Sequence, residues 1–278
     1  MLSSKDIEKK VLALNIIEDI VTAMKAYAGV TIRRTDDLVE NTRTYEKNLL
    51  FAMSDIMSHY PGVSVNEQSK GKRILVAFGS SQGLCGSFNE KMADFVFEII
   101  TSNDILFVIG KRLKLSLELK HITYGDYSDS VASINGIQSS LKETVSKIMN
   151  LYNKKEYYNL TLIFTSIFER RAEISVEQIL PPDIYKVGIL RPTRIPPFTY
   201  IEPKIIFEKI LEEFLFISLY RCYVESLRSE NWYRLRSMDG ASETLKRQLQ
   251  NLNSIQMYTR QEEVTEEMLE ILTSGRFF

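Results

Sequence analysis

Apolar positions in the first sixty residues recur by alternating steps of four and three at Ala13, Ile17, Ile20, Met24 and Tyr27, and Leu38 and Tyr45 resume the series. Such steps keep side chains on one stripe of an α-helix. Ser4, followed by Asp6 and Glu8, marks a helix start and Pro61-Gly62 a stop. One helix over this stretch spans about 80 to 90 Å at 1.5 Å per residue. From Lys204 to Thr273 the pattern returns with a single glycine, Gly240. Here the apolar positions are Ile206, Ile210, Phe214 and Ile217, then Met238, Ala241, Leu245, Leu249 and Leu252, then Val264, Met268 and Ile271. Unbroken, that is about 100 Å of helix. Each helix alone leaves an apolar stripe in water, so the least costly arrangement winds the two together antiparallel as a projecting rod.

Between these helices the period changes. Ile74 to Phe78 and Ile105 to Ile109 are short, wholly apolar runs, as expected of strands buried on both faces, and Leu160 to Ser166 reads as a further strand. Asn89 to Thr101 and Ile134 to Asn150 carry helical periodicity. Strand and helix in alternation predict a doubly wound α/β domain with a mainly parallel sheet, inserted between the long helices. The expected organisation is a coiled-coil helix over 1–62, an α/β domain over 72–200 and a second coiled-coil helix over 204–275. All seven prolines lie between Pro61 and Pro203, which agrees with helical ends and a differently folded middle.

Composition narrows the function classes. The chain has 278 residues, with 35 Lys and Arg against 36 Asp and Glu, a net charge of −1, so no global positive field attracts nucleic acid or anionic lipid. Two cysteines, Cys85 and Cys222, and two histidines, His59 and His121, supply neither a disulfide framework nor a metal-ligand cluster. The N-terminus lacks the layout of a signal peptide, so no cleaved leader is expected. The apolar stretch from Phe214 to Leu219 is far shorter than the roughly 20 residues that span a bilayer. A soluble chain follows, associated with a membrane only through partners.

Candidate chemistry is sparse. Gly79, Gly83 and Gly86 stand between a buried strand and a helix, where a dinucleotide loop sits, but their spacing is neither G-x-G-x-x-G nor that of a phosphate loop. Glycines permitting a tight turn are the simpler reading. Cys85 has no base near it in sequence, so a buried or loop thiol is preferred over a nucleophile. Glu262, Glu263, Glu266, Glu267 and Glu270 read as a solvated helix face. Met24 and Met238 suit a core. Trp232-Tyr233 reads either as a local stack or as a partner anchor, and Phe277-Phe278 either as a frayed tail or as an apolar tip. No catalytic, cofactor-binding or metal-ligating set emerges, and no cofactor is expected.

Three segments in order resemble the γ subunit, the central rotor shaft, of F-type ATP synthases. They are KDIEKKVLALNIIEDIVTAMKAYAGVTIRR near the start, GSSQGLCGSFN after the first strand, and VESLRSENWYRLRSM followed by TRQEEVTEEMLEILTSG near the end. Gln82 to Asn89, Thr22 to Lys25 and Ser229 to Asn231 together are similar to the alternate N-type branch of these ATPases. Ser81-Gln82 replaces the family's Asp-Arg, and SMDGASETL departs from its A-M-K-x-A-T-x-N-A run, so contacts of those charged side chains do not carry over.

The resemblance implies a non-catalytic shaft that passes torque between a membrane c-ring and catalytic β subunits. Its implied partners are an α3β3 ring, the ε subunit and the c-ring, with no nucleic acid and no membrane span. Its implied place is peripheral, on the cytoplasmic face of the cell membrane as part of the F1 sector. On this resemblance Arg260, Gln261, Thr265 and Glu267 meet a β-subunit catch loop. Met24, Lys25, Arg234 and Cys85 lie near the β lever, Tyr200 and Glu202 belong to a foot near ε and the c-ring, and Phe277 and Phe278 form a bearing tip. Two other readings stand beside it: a coiled-coil structural adaptor, and a nucleotide-dependent α/β enzyme.

Overall fold

The computed structural model describes residues 4–63, 72–153, 157–169, 171–183 and 193–274. The chain divides into two compact units, one of residues 29–233 and one of residues 1–28 with 234–278. The long helices are α1 (Ser4–His59) and, at the other end of the chain, a helix over Pro203–Ser274.

The 29–233 unit is built on a five-stranded sheet. In chain order its elements are β1 (Lys72–Phe78), α2 (Phe88–Ile99), β2 (Ile105–Ile109), α3 (Lys111–Leu119), β3 (Asp126–Ser128), α4 (Ile134–Asn153), β4 (Tyr157–Phe168) and β5 (Arg171–Leu180), before the long C-terminal helix, α5. The strand order is β3-β2-β1-β4-β5. The first four are parallel, and β5 returns antiparallel to β4. Successive side chains of β1 point to opposite faces. Ile74, Val76 and Phe78 pack with Leu141 of α4 and with Phe214, Leu215 and Leu219 of α5. Leu75 and Ala77 pack with Met92 and Val96 of α2 and Leu113 and Leu117 of α3. Helical cover on both faces is what an all-apolar parallel strand requires.

Three elements were not predicted. In α3 only Leu113 and Leu117 are buried, too short a series to stand out, and β3 is three residues long. Strand β5, RAEISVEQIL, alternates polar and apolar residues as an antiparallel edge with one wet face does.

In the other unit, α1 and α5 run antiparallel. Lys25 pairs with Asp239 at 2.6 Å and Glu8 with Arg260 at 2.8 Å, so partners rise along one helix as they fall along the other. Val21, Met238 and Leu245 form the core, with Leu14, Met24 and Ala241 against it. The stripe predicted on α1 is not the buried one: Ile17, Ile20 and Tyr27 are exposed. The seam instead runs through Ile7, Leu14, Val21 and Ala28, a strict seven-residue repeat that keeps one line of the helix on its partner. Helix α1 carries two apolar stripes, and the residues closest to the partner are the sparser set.

Candidate functional site

In a doubly wound sheet, ligands bind beyond the carboxyl ends of the strands where the strand order reverses, here between β1 and β4. Helix α5 occupies that place. Ser226 Oγ donates to the Phe78 carbonyl at the end of β1 at 3.4 Å, and Ser229 Oγ donates to the Thr165 carbonyl of β4 at 2.8 Å. The glycine loop beside them closes on itself. Asn89, in the first turn of α2, accepts from the Ser80 backbone N–H at 2.9 Å and donates to Ser80 Oγ at 2.8 Å and to Cys85 Sγ at 3.4 Å. Cys85 is thereby buried against polar groups that are not bases.

The glycines serve close packing. A Cβ on Gly79 would stand 2.3 Å from Leu113 Cβ. Gly110, at φ 114°, would put one 2.6 Å from the Gly79 carbonyl carbon. Neither position tolerates a side chain, and neither is spaced to cradle a phosphate. A shallow cleft of about 830 Å³ beyond the loop is lined by Leu84, Cys85, Arg112, Leu115 and His121. Among the described residues no group of three or more His, Cys, Asp or Glu side chains could hold a metal ion, and no helix is long and apolar enough to cross a membrane.

The residues expected to meet a β subunit are spread over both units. In the two-helix unit Met24 packs on the Val21–Met238 core and Lys25 is bonded to Asp239. Arg260 holds Glu8, and Thr265 Oγ1 donates to the Gln261 carbonyl one turn back at 2.6 Å. Gln261, Thr265 and Glu267 are exposed, as are Val264, Met268 and Ile271 beside them. Arg234 is 1% exposed and therefore belongs to the interior. Cys85 is in the 29–233 unit and buried. In that same unit Tyr200 is 94% exposed and packs edge-on against Phe198. The Glu202 carbonyl accepts the amides of Ile205 and Ile206 at the start of α5. Phe277 and Phe278 lie outside the described residues. Tyr233 stacks edge-to-face with both Trp232 and Phe88, so a local stack is present.

Sequence reasoning missed a buried charge cluster in α5. Arg221 bonds Glu46 of α1 at 2.7 Å, Glu177 of β5 at 2.7 Å and Glu225 at 3.2 Å, while Arg43 reaches Glu225 at 3.0 Å. Burial disfavours the charged guanidinium, but the carboxylates of Glu46 and Glu177 help to outweigh it and raise the pKa of Arg221. Burial pushes the neighbouring Cys222 thiol well up, leaving it inert. The available signal was weak: from Ser218 to Arg234 polar residues fall on every side of a helix, a pattern that a solvated helix shares with one whose polar groups are satisfied by other elements.

Similarity to known proteins agrees with this geometry. The family profile described as ATP synthase matches residues 3–275. An ATP synthase gamma chain of Malacoplasma penetrans is 28% identical, covering 99% of each chain, and one of Bdellovibrio bacteriovorus is 25% identical, covering 99% of this chain and 98% of its own. Among solved structures, a chain of the Euglena gracilis mitochondrial ATP synthase superposes with a TM-score of 0.65 at 14% identity, covering 98% of this chain and 93% of that one. A central-stalk chain of the Tetrahymena thermophila enzyme gives 0.56 at 19% identity, covering 80% and 99%. A five-stranded α/β sheet flanked by long terminal helices, matched by one family along nearly its whole length and by relatives that are gamma chains, places this chain in the ATP synthase family.

Proposed function

We propose that this chain is the torque-transmitting shaft of an F-type ATP synthase or ATPase, without an active site of its own. It turns within an α3β3 ring, takes its drive from a membrane c-ring through a foot shared with ε, and sits peripherally on the cytoplasmic face of the cell membrane. One observation carries the non-catalytic part of the reading: Ser226 and Ser229 of α5 seat on the carbonyls of Phe78 and Thr165, in the crevice where a doubly wound enzyme binds its ligand. The exposed Gln261, Thr265 and Glu267 support the β contact, because they offer polar groups to a partner from an otherwise solvated helix. A charge-assisted hydrogen bond at such a contact contributes about 1.5 to 3 kcal/mol, enough to bias one angular state without locking it.

Affinity capture of the tagged chain from its native membranes, followed by subunit counting, tests the reading. Recovery with α and β in a 1:3:3 ratio is expected. Recovery as a homo-oligomer without them would establish the adaptor reading instead.

A further inference from the structure

A carboxylate near the end of α1 is buried. Asp55 is 7% exposed and stands one full turn before His59, the last residue of α1, so burial carries a desolvation cost. The compensation comes from the connector that leads into α5. The Thr193 N–H donates to Asp55 Oδ1 at 2.8 Å. The Thr193 hydroxyl lies 2.9 Å from both carboxylate oxygens and 2.8 Å from the Ile195 carbonyl. His59 Nδ1 is 3.5 Å from Asp55 Oδ1 and 2.9 Å from the Asp55 carbonyl. One turn on, the Tyr60 hydroxyl donates to the Pro197 carbonyl at 2.5 Å. Two points of the connector are thus tied to the end of α1, and the ring of Pro196 restricts the backbone between them. The same connector carries Ile195, Phe198 and Tyr200, all strongly exposed.

We propose that Asp55 is a positioning residue: with Thr193 it forms a latch that holds the connector, and with it the Ile195–Phe198–Tyr200 apolar surface, in one attitude for assembly with the membrane-side partner. The assembly clause rests on the function proposed above; the latch does not. A buried polar side chain whose hydrogen bonds reach outside its own helix is explained by what it holds.

Trypsin cleavage at Arg194, an exposed residue followed by Ile195, reports the latch directly in the full-length chain. Asp55→Leu and Thr193→Val are expected to speed that cleavage at least tenfold. Asp55→Asn, which keeps one acceptor for the Thr193 N–H, should fall between them and the parent. Cleavage after Lys91 in α2 serves as the control for global unfolding. An unchanged rate at Arg194 overturns the proposal, and so does an acceleration at Lys91 in parallel, which would make Asp55 a residue of general stability. In chain assembled with α and β, Asp55→Leu is expected to keep those subunits and lower c-ring recovery about tenfold. Undiminished recovery overturns the assembly clause, whereas failure of the unsubstituted chain to capture α and β refutes the proposed function and leaves the Arg194 result to decide the latch.

Discussion

Asp104, between α2 and β2, receives hydrogen bonds from Arg73 Nε at 3.1 Å and Nη2 at 2.7 Å, and from the Thr101 amide at 2.8 Å and hydroxyl at 2.9 Å. Burial alone would raise its pKa, but these donors outweigh it and hold the carboxyl below its ordinary value. A depressed native pKa contributes stability that is complete above the unfolded value, about 3.9, and is lost as pH falls through the lower native one. Asp104→Asn is therefore expected to lower the urea midpoint at pH 7 and to flatten the fall in stability below about pH 4; an unaltered acid limb would remove this assignment. The exposed residues of α5 make a different demand. Gln261→Leu and Thr265→Val touch no buried contact, so both should leave the melting temperature within a degree or so. In the assembled complex both should weaken the coupling of ATP turnover to rotation. Unchanged turnover with unchanged coupling in both variants would count against a β contact at these positions. Asp104 was not singled out from the sequence, because its importance lies in donors that only folding brings to it, and Asn89 entered only as the end of a motif and of a helix, without its partners Ser80 and Cys85.

At the scale of elements, the two long helices differ in what their polar residues do. Lys25–Asp239 is an ion pair between a half-buried lysine and an exposed aspartate in the two-helix unit and contributes at most about 1 kcal/mol. Arg221 in the other unit joins α1, β5 and α5 through carboxylates of which Glu225 is almost fully buried. Arg221→Met leaves the buried Glu225 with Arg43 as its remaining cationic partner and takes the shared one from Glu46 and Glu177, so it is expected to cost about 3 kcal/mol in chemical denaturation, whereas Lys25→Ala should cost under about 1. Similar losses from both would mean that the buried cluster is already neutralised in another way. The helices were legible because periodicity is a property of neighbours in sequence. Their seams were less so: Ile17, Ile20 and Tyr27 make a denser apolar stripe, yet Ile7, Val21 and Ala28 are buried and Leu14 packs on the core beside them. The seven-residue spacing keeps Ile7, Leu14, Val21 and Ala28 on one line of the helix, which a coiled partner covers whichever stripe is denser.

At the scale of the whole molecule, Ser226 and Ser229 of α5 take the Phe78 and Thr165 carbonyls in the crevice where a doubly wound sheet would hold a nucleotide. A ligand that binds only the folded state raises the melting temperature by mass action. Saturating ATP or NAD is expected to produce no rise in this chain, and a clear rise would restore the nucleotide-dependent enzyme as a reading. The sequence by itself determined the long helices, the buried parallel strands β1 and β2 and the family resemblance, because each is written in residues that stand close together along the chain. Tertiary structure alone decided which face of α1 is covered and that β5 closes the sheet. It also decided that Arg221 and Asp55 are buried with partners from other elements. Glu177 lies 44 residues from Arg221, and Thr193 lies 138 from Asp55. No local pattern links such pairs, since only the folded chain makes the burial of one conditional on the presence of the other.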